Sequence, residues 1–405
     1  MNIVIVSDFA HVTGGNAAVA LASASGLAER GHQVTLFAAV GPVGPEIASS
    51  PVKVVSTDQQ AIAGDRRRTR AVVQGIWNVK AARIMAETLG RMDLQQTVVH
   101  VHGWDKALSS SVVRAALTMG AKVVCTFHDY VSACPNSGFY NHRREEICRL
   151  QPLSLSCVME SCDRRGYGYK LWRVVRHTVQ RRVGLLPGAI KHVIVVSDFS
   201  RRILEPFLPS GIRIHRVRNM IGVTRAAPAN SADKSAYVMV GRMSREKGPH
   251  LLASVAGRTG WNIKFIGDGE SVTDIRRMAP GATVTGWLTR DAVLKEVAEA
   301  RALIFPSLWY EGEPLVILEA AALGVPAVVA DACAGRDLVI DGETGLYFRS
   351  GDDRHLQSVM DRLQDHQLVQ RLGAAAYRRY WDNPRLPERH IAELERVYGL
   401  VLRDE

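Results

Sequence analysis

The sequence predicts an α/β protein of two Rossmann-like domains. Short β-branched runs alternate with longer helical patterns in each half, and a small, polar, Pro-containing stretch lies between the halves. A chain of 405 residues with 47% hydrophobic and 22% charged content can bury substantial cores, and usual domain sizes suggest two. Strands are expected at residues 3–7, 33–38, 98–102, 122–127 and 192–196 in the first half. The second half repeats the scheme at 236–240, 262–266, 283–285, 302–305 and 327–329. Between the first two strands, residues 15–30 read as a helix closed by Gly31.

The boundary falls in 221–235, where Ala226, Pro228, Ala229, Asn230 and Ser231 form the linker. The domains are therefore set at 1–221 and 222–380, followed by a helical segment at 381–405. Ligands of open parallel sheets sit beyond the carboxyl ends of the strands, so a cleft between the domains is expected there.

Composition excludes some classes. Residues 1–9 lack the basic lead and cleavage site of a signal peptide and read as a buried strand, so export is not expected. The longest apolar stretch, 314–330, carries Glu319, Gly324 and Pro326, which suit a helix followed by a strand rather than a membrane span. The expected location is the cytoplasm, peripheral to the inner face of the membrane. The formal net charge of +11 suits nucleic acid, anionic lipid or phosphorylated substrates alike. A nucleic-acid partner leaves the paired-domain pattern unexplained. A nicotinamide-dependent dehydrogenase should show a three-glycine turn and an acidic residue after the second strand, and neither is present.

Three motifs carry chemistry. Gly14-Gly15 lies in a turn opening a helix, where amides and the helix dipole favour an anion, although many such turns are plain connections. Gly241-Arg242 followed by Lys247-Gly248-Pro249 places two cations near a helix start. That arrangement suits a diphosphate; alternatively it is a basic turn partly neutralised by Glu246. The third motif runs from Pro306-Ser307 through Glu311 to a short helix framed by Pro314 and Gly324. Free amides at Leu315 and Val316 suit phosphate oxygens, and Glu319 interrupts a buried apolar run, as a carboxylate accepting from a ribose diol would. Glu311 stands nearer the transferred sugar; alternatively Glu311 and Glu313 only complement the helix dipole.

This ordered set, with Gly267-Asp268-Gly269 between the second and third motifs, resembles the family-4 glycosyltransferases of the GT-B fold over nearly the whole chain. The resemblance implies retaining, metal-independent transfer from a nucleotide sugar with no catalytic cofactor. It places Arg242 and Lys247 on the diphosphate, Glu319 on the ribose and Glu311 on the donor hexose. His128 matches the family's histidine beside the anomeric carbon. The acceptor implied is a saccharide or lipid-linked saccharide in bacterial surface-polysaccharide synthesis. A silent sugar-nucleotide-binding protein or a same-fold epimerase is the alternative. Two donor-side positions depart from the family pattern: Glu313 replaces an aromatic residue, and Cys333-Ala334-Gly335 replaces a double glycine.

Cys134, Cys148, Cys157 and Cys162 fall in one loop-rich segment, where four thiolates suit a structural zinc. An iron–sulfur cluster, an oxidised pair or buried thiols are the alternatives. From Arg164 to Ser197 there is no acidic residue. Within that stretch Leu171, Val174, Val175 and Val179 lie on one helical side, with Arg173, Arg176 and Arg181 broadly opposite. Such a helix, and the basic segment 164–191 around it, suits an anionic membrane surface; an ordinary surface helix would bury its apolar side.

Overall fold

A computed structural model describes residues 1–404. The chain divides into two compact units. One comprises Met1–Ser137, Leu150–Met220 and the chain from Leu386; the other comprises Gly138–Arg149 and Ile221–Arg385.

The first unit is built on a seven-stranded parallel sheet: β1 (Asn2–Phe9), β2 (Gln33–Val40), β3 (Lys53–Ser56), β4 (Thr97–Val101), β5 (Lys122–Phe127), β6 (His192–Val195) and β7 (Arg213–Arg216). The spatial order is β3-β2-β1-β4-β5-β6-β7. Strand β1 lies between β2 and β4, with Ile5 opposite both Leu36 and His100. Its six central residues are all buried, the pattern of a strand covered on both faces. Part of the cover comes from the far end of the chain. Helix Pro387–Arg403 packs Ile391, Leu394, Val397, Tyr398 and Val401 into the same core as Ile3, Leu27 and Val98.

The second unit repeats the plan with β8 (Ala236–Val240), β9 (Ile263–Ile266), β10 (Thr283–Val284), β11 (Ala300–Phe305), β12 (Ala327–Ala330) and β13 (Gly345–Phe348). These strands are parallel, in the order β10-β9-β8-β11-β12-β13. A hairpin of Tyr140–Asn141 against Glu146–Ile147 belongs here, because Tyr140 is buried in the core formed by Val238, Leu252 and Phe305. The sequence reading, which kept 134–162 within the first domain and 381–405 apart, differs on both counts.

The strand order reverses next to β1 in the first sheet and next to β8 in the second. At such a switch point neighbouring crossovers run to opposite faces and leave an opening beyond the strand ends. The loops after β1 and β4, and after β8 and β11, therefore occupy the openings. The three unanticipated strands, β3, β7 and β13, are all sheet edges. Two of them carry none of the continuous burial of the central strands, which is why their residues read as loop.

The basic helix runs over Tyr167–Arg182 and is turned opposite to an ordinary surface helix. It buries Lys170, Arg176, His177 and Gln180 while Tyr167, Leu171 and Val175 are exposed. Three of these four bond inside the unit. Lys170 Nζ donates to the sulfurs of Cys157 and Cys162, each at 3.4 Å. Arg176 Nη1 donates to the Asp105 carbonyl at 2.9 Å, and Gln180 accepts from Trp104 Nε1 at 3.0 Å while donating to the Val131 carbonyl. Among the described residues no helix is long and apolar enough to cross a membrane.

Candidate functional site

In the second unit the loops after β8 and β11 are locked together. Leu308 N donates to the Glu246 carbonyl at 2.8 Å. Gly248 has φ 72°, and a Cβ there would stand 2.1 Å from the Pro306 carbonyl oxygen, so no larger residue fits between the loops. This approach brings Lys247 onto Glu311: Nζ donates to Oε1 at 2.7 Å and Oε2 at 2.9 Å. Ser307 Oγ donates to Oε1 at 2.6 Å, and the Lys247 ammonium lies 5.2 Å from the Trp309 ring centroid. Glu311 adopts φ 58°, a left-handed conformation that costs a non-glycine residue on the order of 1 kcal/mol and is held here by the contacts of its carboxylate.

Arg242 is held by Glu246, whose buried carboxylate accepts from Arg242 Nη2 at 3.2 Å and from Ser244 Oγ at 2.7 Å. The partial neutralisation considered from the sequence is thus real, but it leaves the Arg242 side chain about half exposed, at 49%. Helix Leu315–Leu323 follows, with Pro314 as its N-cap and Gly324, at φ 80°, as its C-cap. Leu315 and Val316 occupy the first two helical positions, whose amides lie before the intrahelical ladder begins. Glu319, one turn on, accepts from Arg290 Nη2 at 3.2 Å. Burial pushes the Glu319 pKa up, and Arg290 only partly opposes it. Glu313, which follows Gly312, turns inward to Arg385 with its side chain 2% exposed. That leaves Glu311 as the carboxylate oriented by Lys247.

In the first unit Gly14 caps helix Gly15–Glu29 after β1. His128 follows β5 and belongs to a buried imidazole chain. Its Nε2 lies 2.9 Å from His102 Nδ1, His102 Nε2 lies 3.2 Å from His100 Nδ1, and His100 Nδ1 lies 2.6 Å from the Tyr398 hydroxyl. Burial, with the nearby His390 and Lys106, brings the His128 pKa down to about 3; burial likewise lowers His100 and His102. All three imidazoles are therefore neutral near pH 7. Next to this chain, Asp8 accepts amide hydrogens from Lys106, Ala107 and Leu108, fixing the loop after β4. Burial and the charge of Asp105 push the pKa of Asp129 up.

The structure thus brings Lys247 into contact with Glu311 and puts Arg242, Leu315, Val316 and Glu319 on the elements around the β8–β11 switch point. Gly14, Gly15 and His128 lie at strand ends of the other sheet. Sequence reasoning missed Arg290 and the pair His100 and His102. The alternation His-Val-His at the end of β4 was a usable signal, since residues two apart on a strand share a face.

Two of the four cysteines expected to hold zinc meet a lysine. Cys134, Cys157 and Cys162 belong to the first unit and Cys148 to the second. The sulfurs of Cys157 and Cys162 accept from the Lys170 ammonium. Burial alone would lower the Lys170 pKa, but Cys162 and Cys157 outweigh it and raise it. Among the described residues no group of three or more His, Cys, Asp or Glu side chains is arranged to hold a metal ion.

Two family models match. The one described as Glycosyltransferase Family 4 covers residues 13–225, and the one described as Glycosyl transferases group 1 covers residues 223–379. Among similar proteins, Sulfoquinovosyl transferase SQD2 of Arabidopsis thaliana is 33% identical over 153 residues, 36% of this chain and 29% of that protein. A GDP-mannose-dependent alpha-mannosyltransferase of Corynebacterium glutamicum is 29% identical over 134 residues, 33% of this chain and 32% of that protein. The Exopolysaccharide phosphotransferase SCO2592 of Streptomyces coelicolor is 28% identical over 201 residues, 47% of this chain and 21% of that protein. The chain thus spans less than a third of the length of each of these relatives. Among solved structures, sucrose-phosphate synthase from Thermosynechococcus elongatus superposes with a TM-score of 0.71 at 15% identity, over 100% of both chains. Anabaena Alr3699/HepE in complex with UDP-glucose gives 0.69 at 14% identity, over 98% of this chain and 99% of that one. These two share the fold.

Proposed function

We propose, from the premise that this chain belongs to glycosyltransferase family 4, that it transfers a hexose from a nucleotide sugar to a saccharide or lipid-linked saccharide acceptor, with retention at the anomeric carbon. The observation that carries the reading is the Lys247–Glu311 pair at the β8–β11 switch point, beside the amino end of helix Leu315–Leu323.

Departure of the nucleotide builds negative charge on the β-phosphate. Arg242, Lys247 and the Leu315 and Val316 amides supply fixed positive potential where that charge grows, without reorganising at the moment of bond cleavage. Lys247 has three ammonium hydrogens and directs two at Glu311, so one is left for a phosphate oxygen. The same contact orients Glu311 to accept hydroxyls of the transferred sugar. Glu319, half a helix deeper, accepts from the ribose diol. His128, neutral at working pH, offers a hydrogen-bonding edge to the sugar without adding a cation beside an anomeric carbon that becomes positive. The acceptor hydroxyl attacks from the face that the diphosphate leaves and gives its proton to the departing phosphate oxygen. Polysaccharide or glycolipid synthesis is the setting that the names of the relatives suggest.

The test is nucleotide release from a panel of GDP-, UDP- and dTDP-sugars with candidate saccharide acceptors. GDP-mannose and UDP-glucose come first, since similar proteins are named for one or hold the other. Release that requires acceptor, with a product of unchanged anomeric configuration by NMR, supports the reading. Donor binding by calorimetry without release under any condition would instead identify a silent binding protein, and acceptor-independent sugar isomerisation an epimerase.

A further inference from the structure

A helix that turns polar side chains inward and apolar ones outward runs against the amphipathic sense usual for a protein in water. On helix Tyr167–Arg182 the buried residues include Lys170, Arg176, His177 and Gln180, whereas Tyr167, Leu171 and Val175 are 41%, 39% and 50% exposed. The spacing of four puts these three on one stripe. Two neighbours extend it. Helix Arg68–Ile76 packs against the same helix so closely that a Cβ on Gly75 would stand 2.6 Å from the Trp172 ring, and Trp172 Nε1 donates to the Val72 carbonyl at 3.1 Å. It exposes Val72 and Val73, at 46% and 64%. Segment Leu155–Met159, tied by the Tyr167 hydroxyl to the Val158 carbonyl, exposes Leu155 and Met159 at 76% and 67%. Eight of the fifteen exposed large apolar side chains among the described residues, counting Tyr169, fall on these three helices. Isolated exposed apolar residues are ordinary, but a concentration of this kind marks an interaction surface.

Charge identifies the occupant. Arg66, Arg67 and Arg68 stand exposed at the start of one helix; Arg164, Arg181 and Arg182 stand exposed at the two ends of another. The nearest carboxylates are turned inward. Asp65, 3% exposed, pairs with Arg70 at 2.8 Å, and Asp163, 1% exposed, pairs with Arg173 at 2.7 Å. Glu160 is the remaining acid, half-buried and partnered. Tyr169 lies under the Arg165 guanidinium at 4.2 Å, so two tyrosines stand at the arginine-rich amino end of the stripe. Apolar side chains bordered by arginines and tyrosines match the boundary between anionic headgroups and acyl chains. A second copy of this chain would set arginines against arginines.

We propose that this face of the first unit docks on an anionic lipid surface, with Leu171, Val175, Val73, Leu155 and Met159 entering the acyl boundary and Arg66, Arg67, Arg68, Arg181 and Arg182 held by headgroup phosphates. The inference does not depend on the transfer reaction, and its test needs neither donor nor acceptor. The intact protein is floated with vesicles of phosphatidylglycerol and phosphatidylcholine, and separately with vesicles of phosphatidylcholine alone. Binding is expected to the first only, and to weaken as salt is raised. Leu171→Ser with Val175→Ser should abolish it, and Arg66→Gln, Arg67→Gln and Arg68→Gln should each weaken it about fivefold at low ionic strength. Arg277→Gln, on an exposed side chain of the second unit, should leave it unchanged. Melting curves check that the variants fold; if the serine pair melts early, the arginine series alone carries the comparison. The proposal is overturned by failure of the intact protein to float with anionic vesicles, by equal flotation with both kinds, or by flotation unchanged in the variants. Self-association in sedimentation velocity that disappears in the same variants, without vesicle binding, would assign the face to a second copy instead.

Discussion

His102 Nδ1 and His128 Nε2 lie 2.9 Å apart in a chain of imidazoles that burial keeps neutral. Two neutral rings can share that contact only if one donates and the other accepts, so the proton position on His102 sets which edge His128 presents. Nitrogen-15 NMR of labelled histidines should show one dominant tautomer for His128 and a different or mixed one in His102→Phe. An identical tautomer in both would break the link.

That chain, with His177 on helix Tyr167–Arg182, makes stability acid-sensitive. The folded pKa values of His100, His102, His128 and His177 lie below 6.5 because burial opposes the charged form. Below that pH the unfolded chain binds protons that the native chain does not. Stability is therefore full above about 6.5 and falls as pH drops towards 3, each histidine adding a slope of up to about 1.4 kcal/mol per pH unit. Urea melts across this range should show the fall, less steeply in His102→Asn. A flat profile would contradict neutral burial.

Lys247 and Glu311 touch but should fail differently. Lys247→Ala removes the cation proposed to meet the diphosphate and should weaken donor binding about 10- to 100-fold. Glu311→Gln keeps the shape and should leave donor binding close to normal while lowering turnover about 100-fold. Calorimetry paired with turnover separates the two; parallel losses in both variants would mean that the residues act only as a structural pair.

Glu319→Ala should weaken donor binding by roughly 1.5 to 3 kcal/mol, the worth of hydrogen bonds to a charged acceptor. Arg290→Ala removes the guanidinium that opposes burial, so the Glu319 pKa should rise further and donor affinity should fall earlier on acidification. Binding isotherms at several pH values check both, and normal affinity in Glu319→Ala would remove its assignment to the ribose.

Gly248→Ala should destabilise the second unit by several kcal/mol or displace the loop after β11. The new Cβ would have to share space with a carbonyl oxygen 2.1 Å away at a φ that alanine avoids. Thermal melts and donor affinity should fall together. A variant with unchanged melting would show that the two loops can separate.

The central strands were legible because parallel strands buried on both faces leave long β-branched runs, as in β1 and β4. Three of the four edge strands were not, since a half-covered strand such as β7, with arginine at both ends, has the composition of a loop. In the site, spacing identified Lys247, Glu311 and Glu319, which sit on short local motifs. It missed Arg290, which meets Glu319 from 29 positions away and leaves no local pattern. The basic helix was anticipated from its charge and apolar spacing, with its outward face undecided. A hydrophobic stripe says that a helix has two sides, but only the buried partners, Asp105 for Arg176 and the cysteine sulfurs for Lys170, say which side faces in.

Helix Pro387–Arg403 has a consequence for the order in which the protein comes into being. Five of its side chains complete the core that begins with Ile3. While the chain is still on a ribosome, the first sheet therefore waits, its hydrophobic face incomplete, until all of the second unit has been made. The earlier-synthesised unit is the later one to finish. A stop just before Pro387 would therefore leave the second unit whole and the first unit's core open.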